Sequence, residues 1–166
     1  TSPRHLAGIG TSAGGILIGR ALTERPDLFA AVVARVGVFD MLRFAGTENG
    51  APNVAEFGSP ETEEGFRALL EMSAYHHVRE GVSYPAVLLD HGVNDSRVPV
   101  WSSTKMAARL AAASTSGRPV LLRLDYETGH GQGATASHRR AERADIFAFV
   151  LDQCGTAPPR SEASHR

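Results

Sequence analysis

Four short apolar runs are spaced along the chain. They are Leu6–Ile9, Ala31–Val36, Ala86–Asp90 ("AVLLD") and the core of "RPVLLRLDY", Arg118–Tyr126. Each is too short for a core helix and reads as a continuous apolar strand. The stretches after them fit helices: Gly14–Glu24, a segment ending near Met72, Ser102–Ala113, and a last one within "ASHRRAERADIFAFVLDQC". The order is therefore βαβαβαβα. Apolar strands joined through helices imply a parallel sheet buried on both faces. The expected fold class is α/β, a mostly parallel sheet with helices on both faces. In such sheets ligands sit beyond the carboxyl ends of the strands, so the residues that follow each strand carry the information about chemistry.

Length and charge narrow the options. At 166 residues the chain makes at most one ordinary domain. Its formal net charge of −1 argues against a nucleic-acid partner, which calls for a basic face. No apolar run approaches the roughly 20 residues of a membrane span. The opening "TSPRHLAGIG" lacks the basic-then-apolar layout of a signal peptide. A soluble protein is expected, with cytoplasm and periplasm both open. Cys154 is the single cysteine, so no internal disulfide can form. The chain enters a strand almost at once and has no initiator methionine, and it is expected to be a piece of something longer. Residues 156–166, "TAPPRSEASHR", are expected to be a disordered tail. Within the chain, "GTENGAPNVAEFGSP" at Gly46–Pro60 reads as a loop. Ser59 reads as the N-cap of the next helix, with Pro60 at its first position and Glu61, Glu63 and Glu64 near its positive end.

Three residues beyond strand ends stand out. After the first strand comes Gly10-Thr11-Ser12-Ala13-Gly14, the G-x-S-x-G pattern of a nucleophile elbow. A sharp strand-to-helix turn there presents the Ser12 hydroxyl above the sheet and aims the Ala13 N–H at a developing oxyanion. After the third strand, "HGVNDSRVP" places Asp95 in a turn. A carboxylate there can orient an imidazole, although aspartate is also a common turn former. Asp90, which closes the strand itself, is a rival. After the fourth strand, His130 stands between Gly129 and Gly131, where a general base can reach a serine hydroxyl. The chain order Ser12, Asp95, His130 is that of the α/β-hydrolases. None of the seven histidines makes a zinc-ligand spacing, and neither a metal nor a cofactor is expected.

With those residues in place, "GTSAGG", "GVFDMLRF", "EFGSPE", "HGVNDSRVP" and "GHGQG" together resemble the catalytic domain of the prolyl oligopeptidase family of serine peptidases. The resemblance runs from about Arg4 to Asp152. It implies an α/β-hydrolase fold with Ser12 as nucleophile, Asp95 as orienting acid and His130 as base. It implies that residues 1–155 are the C-terminal portion of the peptidase domain, incomplete on its N-terminal side. It also implies Arg97 as a partner for a substrate carbonyl, with a surface ion pair as its ordinary alternative. Val38, Val98 and Phe57 match positions that line the family's specificity pocket, and plain core packing would suit them equally. Asn53 stands where prolyl oligopeptidase itself carries a tryptophan that stacks on the substrate proline, and Phe57 replaces a tyrosine. The family's β-propeller and a tyrosine that donates to the oxyanion have no counterpart in the sequence.

The expected activity is hydrolysis of short peptides through a Ser-Asp-His triad and an acyl-enzyme. A carboxylesterase-type hydrolase and an inactive hydrolase fragment are the alternatives. The expected partners are a short peptide substrate and the propeller and N-terminal hydrolase segments of a parent chain, with neither nucleic acid nor membrane.

Overall fold

The computed structural model describes residues 1–131 and 134–155; Gln132, Gly133 and the expected tail at 156–166 lie outside the described residues. The four apolar runs become β1 (Ala7–Thr11), β2 (Ala31–Arg35), β3 (Ala86–Gly92) and β4 (Val120–Asp125). They form one sheet in the order β1-β2-β3-β4, and every neighbouring pair is parallel. Central β3 is buried along its whole length, as a strand covered on both faces must be.

Helix α1 (Gly14–Glu24) returns the chain from β1 to β2, and α6 (Trp101–Ala113) returns it from β3 to β4. Ile18 and Leu22 of α1 and Met106, Leu110 and Ala113 of α6 join Val32, Ala34, Val87 and Leu89 of the strands in one core. Tyr84 is fully buried in that layer, and its hydroxyl accepts from the Arg79 N–H at 2.8 Å. The final helix, α7 (Ala136–Gln153), covers the opposite face. Its Ile146 and Phe149 pack on Ala31, Val33, Ala86 and Leu88. Odd and even strand positions thus feed two different cores, which is the alternation a pleated strand imposes.

The β2–β3 connection departs from the sequence reading. The stretch read as a loop at Gly46–Pro60 contains a 3-10 turn at Ala51–Asn53 and a short helix, α3 (Val54–Phe57), after α2 (Met41–Phe44). The next helix, α4 (Glu63–Met72), is capped by Thr62 and not by Ser59: the Thr62 hydroxyl accepts from Gly65 N at 3.1 Å. Ser59 closes its own turn by accepting from Glu61 N, so Pro60 and Glu61 precede the helix. Ser59 and Thr62 both offer a hydroxyl ahead of acidic residues, and sequence spacing alone does not choose between them. A one-turn helix, α5 (Ala74–His77), completes the crossover. Among the described residues no helix is long and apolar enough to cross a membrane.

Candidate active site

The site begins at the end of β1. Thr11 still pairs with Arg35 of β2, and one residue later the chain must turn into α1. Ser12 makes that turn with φ 57°, in the left-handed region that a residue with a Cβ enters at a cost of about 1–3 kcal/mol. Backbone bonds hold it there. Its N–H donates to Arg35 O at 2.9 Å, and its carbonyl accepts from Gly15 N at 2.8 Å. Only glycine fits two residues earlier, because a Cβ on Gly10 would lie 2.3 Å from Gly14 O. Ala13 sits at the N-terminus of α1, where first-turn N–H groups lack helical acceptors and favour negative charge.

His130 reaches Ser12 across 118 residues of sequence. Its Nε2 lies 2.9 Å from Ser12 Oγ, and its Nδ1 lies 2.7 Å from Asp95 Oδ2. The carboxylate can only accept, so Nδ1 carries the proton in the neutral ring. That leaves Nε2 bare to accept from the serine hydroxyl. The Asp95 side chain has no solvent exposure and that of His130 has 11%. The second carboxylate oxygen, Asp95 Oδ1, accepts from Arg97 N at 2.8 Å and Val98 N at 2.9 Å. The turn therefore fixes the carboxylate from one side while the imidazole takes the other.

The two loops that bring Asp95 and His130 together lie flat on each other. Asn94 N donates to Thr128 O at 3.1 Å, and Val93 N donates to Asp125 O at 2.8 Å. Gly92 allows this contact: a Cβ there would meet Gly129 O at 2.3 Å and Thr128 O at 2.5 Å.

Asp90 is not brought into this line. It stands in register with Arg35 on one neighbouring strand and Arg123 on the other, and forms ion pairs with both, at 3.6 Å and 2.8 Å. Arg35 also pairs with Glu142 of α7, and Arg123 with Asp145. Burial, then a hydrogen bond with Glu142, push the Asp90 carboxyl up to about 6, against the pull of Arg123. Burial acts on Glu142 too, but its bonds to Asp90 and Arg35 win and hold it below the ordinary glutamate value. Arg35, Asp90, Arg123 and Glu142 line a common cavity of ≈ 210 Å³ with His130.

The residues matched to a specificity pocket form a closed cluster. Val38 and Val98 are buried with Met41, Phe44 and Leu69, and Phe57 packs against them. Asn53 and Phe57 border a space of only ≈ 10 Å³, about enough for one water. The Asn53 amide is engaged by Asn49 O at 2.6 Å. Arg97 is exposed next to Asp95. Among the described residues, no cluster of three or more potential metal ligands exists.

A model of the prolyl oligopeptidase family matches residues 1–157. The chain belongs to the prolyl oligopeptidase family. Over 156 residues it is 35% identical to a prolyl endopeptidase of Elizabethkingia meningoseptica, covering 93% of this chain and 22% of that protein. It superposes on oligopeptidase B from Leishmania major with TM-score 0.90 at 30% identity, over 94% of this chain and 22% of that one. A solved prolyl endopeptidase shares 40% identity at TM-score 0.83, covering 97% of this chain and 22% of that one. The chain thus spans about a fifth of the length of the relatives it matches. The α/β-hydrolase fold expected from the sequence is the fold of these neighbours.

The sequence did not point to His91, Arg35, Arg123 or Glu142. A signal was present for two of them. Arginine within the apolar strands β2 and β4 faces the aspartate that ends "AVLLD", and charges at one level of three adjacent strands pair across a sheet.

Proposed function

We propose that this chain carries the nucleophile, base and orienting acid of a serine peptidase of the prolyl oligopeptidase type. The observation behind this reading is the continuous line Ser12–His130–Asp95, with 2.9 Å and 2.7 Å links. Its direction decides the roles. Asp95 holds the Nδ1 proton, so Nε2 takes the proton of Ser12 as the hydroxyl attacks a scissile carbonyl. The Ala13 N–H, at the N-terminus of α1, is assigned to the charge that develops on the carbonyl oxygen. His130 then returns its proton to the leaving amine, and water repeats the sequence on the acyl-enzyme. Arg97, exposed beside the acid, is the group to hold a second substrate carbonyl by a charge-assisted bond.

The substrate class is short peptides, as the relatives' names imply. Residue preference at the cut is a separate matter. The relatives include proteins named prolyl endopeptidase and one named oligopeptidase B, and Asn53 cannot stack on proline as an indole does. Residues 1–155 are read as the C-terminal portion of the hydrolase domain. A second oxyanion donor and a propeller are read as parts of the remaining four-fifths of a relative-sized protein.

The test is labelling by a fluorophosphonate, read by intact mass, together with turnover of peptide anilides and short-chain esters in the full chain. One adduct is expected, absent in Ser12→Ala, with anilide turnover falling to background in that variant. Ester cleavage without any anilide cleavage would favour the carboxylesterase reading. Near-parental turnover in Ser12→Ala would remove the assignment.

A further inference from the structure

Four residues before Asp95, at the end of β3, His91 lies wholly inside the protein, and the catalytic scheme above does not use it. Its Nδ1 is 2.7 Å from Ser103 Oγ on α6. Its Nε2 is 2.9 Å from Val98 O and 3.5 Å from Asp95 Oδ2, the oxygen that accepts the hydrogen bond from His130 Nδ1. These contacts fix the tautomer. Val98 O only accepts, so the proton is on Nε2; Nδ1 then accepts from the Ser103 hydroxyl. Burial disfavours the imidazolium and keeps the ring neutral, with the Val98 bond and the Asp95 charge opposing.

We propose that His91 is the positioning residue for the orienting acid: its Nε2–H, donated to Val98 O beside the Asp95 carboxylate, and its Nδ1, accepting from Ser103, lock the 95–98 turn onto α6 and fix the direction of the carboxylate toward His130. This inference rests on the serine-peptidase reading. Val98 is the link that makes the lock tight. Its N–H donates to Asp95 Oδ1 while its carbonyl accepts from His91, so the two peptide units that flank its Cα are pinned, one to the carboxylate and the other to the ring. Because Val98 also belongs to the cluster with Val38 and Phe57, the same ring ties the acid to the wall where the family's specificity pocket is matched. The charged and titratable groups facing His91 are Asp95 directly and His130 beyond it. A buried imidazole that only filled space would not need two aligned partners on two different elements, and an apolar residue would pack there at lower cost.

The inference separates two amide replacements. Glutamine places its N–H near the position of Nε2, and asparagine places its amide near Nδ1. The experiment measures the fluorophosphonate reaction rate of Ser12 against pH in the full chain, for wild type, His91→Gln, His91→Asn and His91→Leu, with thermal melts as the folding control. His91→Gln is expected to keep the rate within a few fold and to keep the pH profile. His91→Asn and His91→Leu are expected to be about tenfold to a hundredfold slower, the scale of a misplaced catalytic group. Their acid limb should move to lower pH, because a carboxylate turned away from His130 stabilises the imidazolium less. If His91→Leu does not fold, the Gln and Asn variants still decide. Equal rates and equal pH profiles for those two, or a folded His91→Leu that matches wild type, would overturn the inference. Labelling that persists in Ser12→Ala would instead strike the nucleophile assignment, a result independent of the His91 comparison.

Discussion

Gly92→Ala is the sharpest probe of how the site is assembled, because it adds one methyl group and touches none of the three reacting side chains. The added Cβ would stand 2.3 Å from Gly129 O and 2.5 Å from Thr128 O. Both are backbone atoms, so neither can rotate aside. Restoring an ordinary contact requires the loop that carries His130 to retreat by about 1 Å. The Nε2–Oγ distance of 2.9 Å would open by a similar amount. A displacement of about 1 Å in a catalytic group costs on the order of a hundredfold in rate. Overpacking of this kind typically costs about 1–3 kcal/mol of stability, and here the strain falls on a half-buried loop outside the cores. The expected outcome is a folded protein, slightly lower in melting temperature, whose Ser12 reacts with fluorophosphonate about a hundredfold more slowly. Gly10→Ala is the contrasting control, since its methyl group would strike the elbow backbone itself. A Gly92→Ala variant that melts near the wild-type temperature and labels at the wild-type rate would refute the claim that this close approach sets the His130 position.

Three further outcomes follow from the same contacts. Asp95→Asn should leave the fold intact and lower peptide turnover by about 10⁴, because an amide can present its N–H to His130 and reverse the tautomer; steady-state kinetics with peptide anilides checks this. The Asp90 carboxyl, raised to about 6 from an ordinary 3.8, binds its proton more tightly in the native than in the unfolded state. Its contribution to stability is therefore present at low pH and is lost as pH rises through about 4 to 6. Chemical denaturation across that range should show the decline, and Asp90→Asn should flatten it. Thr62→Ala should cost about 1 kcal/mol of stability through the lost cap of α4, whereas Ser59→Ala should cost less; urea midpoints distinguish the two.

The strands were legible because each is a run of apolar residues bounded by glycine, proline or polar turns; burial on both faces demands that of β2 and β3, whereas the edge strands β1 and β4 keep the pattern with Ile9 and Leu121 exposed. The elbow was legible because a strand, a small-residue turn and a helix are all needed to hold Ser12 at a positive φ. Asp95 and His130 were legible by position, each following a strand in the expected order. What sequence did not disclose depends on distance in space. The carboxylates Asp90 and Asp95 are five residues apart, and only the pairing of β3 with β2 and β4 shows that Asp90 is consumed by Arg35 and Arg123. His91 follows the apolar run "AVLLD" by one residue, and only the continuation of β3 through Gly92 puts it in the core. In the β2–β3 crossover, glycine, asparagine and proline signalled a loop correctly in composition, yet Val54–Phe57 turns helical where Phe57 meets the Val38 cluster.

The separation of Ser12 and His130 by 118 residues, with β4 the last strand among the described residues, has a consequence for synthesis. A ribosome delivers the serine 118 residues before the histidine. Throughout that interval the hydroxyl is an ordinary alcohol, because nothing nearby in sequence can take its proton. The base reaches it only once β4 docks against a β3 that is already in place. On the serine-peptidase reading, the order of the strands acts as a built-in delay between making the hydroxyl and setting a base beside it.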